Sequence, residues 1–318
     1  MLLRLIPAKT EIPFIKFRFL SMTVSGLFIL GSLGLFFMSG LNYGIDFKGG
    51  TLLQITTEEP ADLGNIRGTL NGLNLGEVQV QLFGTENDVL IRIETQDAEG
   101  DATAVERAQQ DAVAVARTAL SESIPNVTFA RAEVVGPKVS GELVRASELA
   151  VVLAVLAVLI YIWFRFEWQF AVGAVMALVH DVILTIGVFS ILQLEFNLSI
   201  IAALLTIVGY SLNDTVVVYD RIRENLRKYK RMALGELLDQ SINDTLSRTV
   251  MTSVTTLLAL IALYTFGGEV IRGFTFAMIW GVLVGTYSSI FVASPMLMFF
   301  GVRRDWSEDG GQAVTQTP

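Results

Sequence analysis

The sequence predicts an α-helical polytopic membrane protein with six transmembrane helices and one inserted ferredoxin-like α+β domain. Three observations predict it. Of 318 residues, 52% are hydrophobic and only 17% charged, against roughly a quarter charged in soluble domains. The charges crowd into a few stretches and nearly vanish from the rest. Six continuous apolar runs each approach the ~20 residues that cross a bilayer as a helix, whereas barrel strands alternate over about ten residues.

The runs are 19–40, 146–164, 170–192, 198–219, 249–266 and 274–300. The first follows a basic start, residues 1–18, as a signal peptide would. It is long, lacks a convincing small-x-small cleavage site and precedes five more spans, so it reads as an uncleaved anchor. The last contains Pro295, which is expected to kink it or seat its end in the interface.

Between the first two runs, residues 42–141 read as βαββαβ, a split arrangement. Residues 52–57 are strand-like and 61–73 form a weak helix. Segments 78–83 and 89–94 alternate at period two about a turn at 84–87. Residues 102–120 carry Val105, Ala108, Ala112, Val115 and Ala119 at helical spacing, and 127–135 is the last strand. This order puts both helices on one sheet face and leaves the other for a partner.

Lys and Arg near the membrane mark the cytoplasmic side. Arg4, Lys9, Lys16 and Arg18 precede the first span, and Arg165 lies between the second and third. Arg221, Arg223, Arg227, Lys228, Lys230 and Arg231 follow the fourth, and Arg303 and Arg304 the sixth. With six spans these fall on one side, so both termini are expected to be cytoplasmic and the acidic domain periplasmic. The stretch 220–247, with Leu226, Leu234, Leu237 and Leu238 among charges, is expected to be an amphipathic loop on the membrane surface. Residues 305–318 read as a disordered cytoplasmic tail.

No cysteine is present and only one histidine, which excludes disulfides and thiolate chemistry and argues against a metal centre. Nucleotide-binding loops and hydrolase motifs are absent, and so is a basic nucleic-acid surface. Neither an enzyme nor a cofactor is expected. Partners are expected in membrane lipids, whose phosphates suit Arg221, Arg223 and Arg227.

Ionisable groups inside spans cost about 2.5–3.5 kcal/mol and are functional suspects. Asp214, beside Asn213 in the fourth span, stands out: Tyr210 and Ser211, one turn earlier, are placed to hydrogen-bond it, and Gly209 permits close helix approach. Arg248, at the start of the fifth span, offers a cation. Motion between the two would load or release a proton; the alternative is a static pair that fixes packing. His180 and Asp181 in the third span, expected on different sides of their helix with Thr185 bonding Asp181, divide evenly between proton relay and packing. Asp46, Gly49 and Gly50, in Gly44-Ile45-Asp46-Phe47-Lys48-Gly49-Gly50, read as a bend where the first span gives way to the first strand.

These motifs resemble the SecD/SecF family of protein-export membrane proteins. The glycine motif is similar to the one that opens its periplasmic domains. Val179-His180-Asp181-Val182, the run from Gly209 to Asn225 that includes Asn213-Asp214-Thr215, and Ser241 to Thr249 resemble the third to fifth spans of its SecF type. The resemblance implies an RND-type half that pairs with SecD in a bacterial inner membrane. It further implies use of the proton-motive force to help draw a translocating polypeptide from the SecYEG translocon, with Asp214 and Arg248 on the proton path. The rival readings are an RND-type exporter half and a translocon scaffold that moves no protons.

Overall fold

A computed structural model describes residues 10–96 and 102–302 of the chain. The predicted bases Arg4, Lys9, Arg303 and Arg304 and the predicted tail at 305–318 lie outside the described residues.

Six long apolar helices account for the predicted runs. They are α1 (Arg18–Ser39), preceded by a tight turn at Phe14–Phe17, α5 (Pro137–Arg165), α6 (Trp168–Leu192), α7 (Leu198–Lys228), α8 (Leu234–Phe266), and a sixth element built of α9 (Arg272–Ser288) and α10 (Ser294–Phe300). α6, α7 and α9–α10 form the buried centre of the bundle, while α1, α5 and α8 expose most of their apolar length. Leu, Phe and Ile side chains left outward on those three helices are what a lipid-facing surface requires.

Two boundaries differ from the sequence expectation. α7 runs on to Lys228 and α8 begins at Leu234, so 220–247 is no surface loop but the extension of two helices joined by residues 229–233. Leu226, Leu237 and Leu238 are buried there, packing the extensions together instead of against a bilayer. The helix after the α/β domain likewise starts at Pro137, well before the apolar run, because Pro at the first helical position forfeits only an N–H that has no intrahelical partner.

The break in the last element is a π-helical turn, Ser289–Ala293, immediately before Pro295. Proline lacks the N–H and crowds the carbonyl four residues back. That carbonyl, Phe291 O, accepts from Ser21 Oγ of α1 at 3.3 Å, and Ala293 O accepts from Tyr219 Oη of α7 at 3.1 Å. The carbonyls around the wide turn are thereby satisfied by neighbouring helices, as bilayer burial demands.

The inserted domain has β2 (Gly50–Thr56), α3 (Leu63–Asn71), β3 (Val78–Phe83), β4 (Thr85–Ile93), α4 (Ala102–Ser123) and β5 (Thr128–Val135). The sheet order is β3-β4-β2-β5, antiparallel throughout, which is the predicted ferredoxin-like plan. Leu53, Ile55, Val80, Val89, Ile91 and Ile93 meet Ile66, Leu70, Ala112, Ala116 and Leu120 of the two helices in one core. The other sheet face does not stand free. With Leu52, Gln54, Leu90, Arg131 and Glu133 it roofs a cavity of about 610 Å³ whose floor is the end of the bundle, including Leu194, Glu195, Arg272 and Phe276.

Three short elements hold the domain on the bundle. β1 (Asn42–Tyr43), just after α1, pairs in parallel with β6 (Glu195–Phe196), between α6 and α7, and α2 (Ile45–Lys48) follows β1. Gly49 and Gly50 then turn the chain into β2 with φ of +73° and +116°. A Cβ on Gly50 would stand 2.5 Å from Ile93 O, so conformation and space both require glycine there.

Candidate functional site

α7 carries the site on two faces. Asp214 is 3% exposed, and its Oδ2 is buried with no hydrogen-bond partner among the described residues. Its neighbours come from α8, where the Thr252 hydroxyl, which donates to Thr249 O at 2.9 Å, lies within its reach and Arg248 supplies a positive field. Arg248 itself is exposed, and no Asp214–Arg248 ion pair within 4.0 Å occurs among the described residues. The face of α8 toward α7 is lined with hydroxyls: Thr245, Thr249 and Ser253 recur every four residues and are buried. Thr249 Oγ1 has no partner among the described residues, and Ser253 Oγ hydrogen-bonds Thr286 Oγ1 of α9 at 2.7 Å. A carboxyl so buried, with one oxygen unpartnered among the described residues and no cation at contact distance, is costly to keep ionised. It can remain only by binding a proton or by drawing in a cation.

The helpers expected for Asp214 go elsewhere. Ser211 Oγ donates to Asp181 Oδ2 at 2.6 Å, and Tyr210 Oη donates to Thr256 of α8 at 3.5 Å. Spacing put Ser211 on the right side of its own helix, but α6 lies there too and offers a stronger acceptor. Gly209 has open space where a side chain would be, so no helix of this chain uses it for close approach. Asn213 is exposed and belongs to neither face of the buried site.

Beyond Ser211, on α6, His180 and Asp181 sit together. His180 Nδ1 lies 2.9 Å from Asp181 Oδ1, and both residues are at most 2% exposed. The expectation that they diverge was wrong, because a short Asp side chain and a turned imidazole bridge the 100° between successive helical positions. Thr185 Oγ1 donates to the Asp181 backbone carbonyl at 2.7 Å and not to its carboxylate, the usual back-bond of a helical threonine. Ser288, the last residue of α9, donates to Asp181 Oδ2 at 2.8 Å. Sequence reasoning missed Ser288 and Thr252, since nothing in a single chain's periodicity pairs one helix with another.

The domain junction is a third cluster, and most of it was missed. Arg92 of β4, 8% exposed, donates to Asn42 Oδ1, Tyr43 O and Gln79 Oε1 at 3.0–3.2 Å and meets Glu195 at 3.2 Å. Asp46, a predicted motif residue, accepts from the Leu198 N–H at the start of α7 at 2.8 Å, a favourable seat for an acid. Burial pushes the Glu195 carboxyl above its ordinary range, outweighing the Arg92 charge that acts the other way. Among the described residues no group of His, Cys, Asp and Glu side chains has the make-up to hold a metal.

Fold and site define a multi-pass membrane protein with buried acids on two of its central helices, Asp181 on α6 and Asp214 on α7. Two family profiles match: "Protein export membrane protein SecD/SecF, C-terminal" over residues 115–303 and "SecD/SecF GG Motif" over 34–61. The chain is 47% identical over 309 residues to the protein translocase subunit SecF of Rhodobacter capsulatus, covering 95% of this chain and 93% of that one. It is 44% identical over 306 residues to that of Rickettsia akari, covering 95% and 96%. Among solved structures it superposes on SecDF, a translocon-associated membrane protein from Thermus thermophilus, with TM-score 0.82 and 35% identity. A SecDF structure in a super-membrane-facing form gives TM-score 0.67 at the same identity. These matches cover 93% and 94% of this chain, which spans 39% of the length of either SecDF chain. The chain belongs to the SecD/SecF family of protein-export membrane proteins and is of its SecF type.

Proposed function

We propose that the chain pairs with a SecD partner in a bacterial inner membrane, termini in the cytoplasm and α/β domain in the periplasm. There it uses the proton-motive force to assist late movement of a polypeptide out of the SecYEG translocon. It is a transport component and not an enzyme, and it needs no cofactor besides protons. The observation that carries this reading is the Asp214 carboxyl, buried on a membrane-crossing helix with one oxygen unpartnered. Support for the partner comes from the SecDF matches, in which a chain more than twice as long includes a segment similar to this one. The exposed, apolar outer faces of α1, α5 and α8 leave room for further helices. The bases Lys16, Arg18, Arg165, Arg223 and Arg227 gather at the bundle end away from the α/β domain, which supports the orientation.

In this reading Asp214 alternates between a protonated, neutral form and an ionised form stabilised when Arg248 swings inward. One charge crossing about 100 mV releases about 2.3 kcal/mol. That is enough to move a two-state equilibrium well over tenfold, and the junction at β1–β6 ties the bundle directly to the α/β domain. The test is proton-gradient-dependent late export with Asp214→Asn. A fall of at least about tenfold, with normal assembly with SecD, is expected. Full activity would leave the scaffold reading, in which no proton moves.

A further inference from the structure

Asp214 is not the only buried acid, and the dyad on α6, which α7 meets through Ser211, has the parts of a proton site in its own right. Asp181 receives Ser211 from α7 and Ser288 from α9 on Oδ2, and faces His180 Nδ1 with Oδ1. Each of these is a donor to a carboxylate, an arrangement that suits the ionised acid and seats the imidazole proton on Nδ1. The other ring nitrogen, Nε2, is then a bare lone pair, and it is buried with no partner among the described residues. A neutral imidazole beside an ionised carboxylate leaves one uncompensated negative charge in the bundle. A proton on Nε2 cancels it.

No lysine or arginine pairs with Asp181 among the described residues. His180 makes the single ion-pair contact to Asp181 among the described residues. The packed elements carry charges towards their ends, Arg272 on α9, Asp220, Arg221, Arg223, Glu224, Arg227 and Lys228 on α7, and Lys138, Glu142, Arg145 and Glu148 on α5; their other titratable groups are few. α9 brings Tyr287, whose ring stacks on the imidazole at 6.0 Å. α7 brings Tyr210, Asp214 and Tyr219, of which Tyr210 and Tyr219 bond to Thr256 and Ala293 O. α5 brings Tyr161, half exposed, and Arg165, which pairs with Asp220. α1 brings the hydroxyls Ser21 and Ser25 and, at its first residue, Arg18; α10 brings no charge.

We infer that His180 Nε2, with Asp181 as its fixed counter-charge, is a second proton-binding site on the α1–α6–α9 side of α7, working beside Asp214 on the α8 side. The inference rests on the proton-coupled reading of the chain. The site is wired to what moves. Ser211 lies one turn before Asp214 on the same helix. Ser288 immediately precedes the π-helical turn, a feature that recurs at functional positions. Tyr287 Oη reaches the Ser21 carbonyl and Ser25 Oγ of α1, each at 3.1 Å. A change of charge at the dyad therefore acts on three helices at once. Gly285 is needed for the arrangement, because a Cβ there would stand 3.0 Å from Ser211 Cβ.

His180 is the chain's only histidine, so it reports without ambiguity. The experiment is nitrogen NMR of the full chain, labelled at histidine and held in lipid bilayers, from about pH 5 to about pH 9. The expected spectrum shows the neutral Nδ1–H tautomer at the alkaline end, converting to imidazolium on acidification. In Asp181→Asn the midpoint moves by more than about tenfold in proton concentration. An Nε2–H tautomer, an imidazole that does not titrate, or a midpoint indifferent to Asp181→Asn overturns the inference. The wild-type titration needs no variant to fold. It is also independent of export: Asp214→Asn that retains full export sinks proton coupling and leaves the spectrum intact, whereas a silent His180 beside an export-dead Asp214→Asn sinks the dyad alone.

Discussion

Asp214 and Asp181 occupy the same bundle, yet their environments differ in kind. Asp181 has both oxygens engaged by donors from three helices, while Asp214 keeps one oxygen free and faces a row of hydroxyls on α8. The first has the donors of a fixed charge site; in the proposed cycle the second changes state when its neighbour moves. The glycines of α9 set the distance between these sites. Gly281 lies where a Cβ would collide with the Ile207 side chain of α7, and Gly285 faces Ser211. Gly281→Val is expected to force α7 and α9 apart and cost about 1–3 kcal/mol. Thermal unfolding of the purified protein checks this, and an unchanged midpoint would show that the helices repack freely. Asp214 could be found from sequence because a charge in an apolar run is conspicuous. The destination of Ser211 could not, because it depends on which helix packs beside α7.

Among the elements, the parallel pair β1–β6 and the Arg92 cluster matter most, since they fasten the α/β domain to the membrane helices. The period-two pattern of 89–94 put Arg92 on the polar face of its strand, but Asn42 and Glu195, fifty residues before it and about a hundred after, carry no local signature. Glu195 gives this junction a pH dependence. Its carboxyl sits above the ordinary value of 4.5 when docked, with burial as the main cause, and returns toward that value when the domain lifts away. The docked state therefore binds the proton more tightly. Docking is expected to strengthen as pH falls through the raised range and to level off below 4.5. Glu195→Gln removes this slope. Hydrogen exchange at the Tyr43 and Phe196 amides, measured against pH, reads it out; a slope that persists in Glu195→Gln would assign it to another group. Arg92→Met, in contrast, leaves the ionised Glu195 buried without its cation and is expected to undock the domain at neutral pH, with at least about tenfold faster exchange at the same amides.

At the scale of the molecule, the six spans and the βαββαβ insert were legible because each rests on a periodicity or run length that one segment carries alone. The extensions of α7 and α8 were not, because helical propensity in a charged stretch does not say whether its leucines meet lipid or another helix. The result is a bundle with three buried and three lipid-facing helices and a domain seated on one end. The proposed coupling of proton uptake in the bundle to the domain requires that a buried acid exchange protons across the membrane. Proton flux through the complex with SecD, reconstituted in liposomes under an imposed gradient, measures this directly. The account expects Asp214→Asn to reduce the flux at least about tenfold while assembly is intact; undiminished flux through that variant would contradict it.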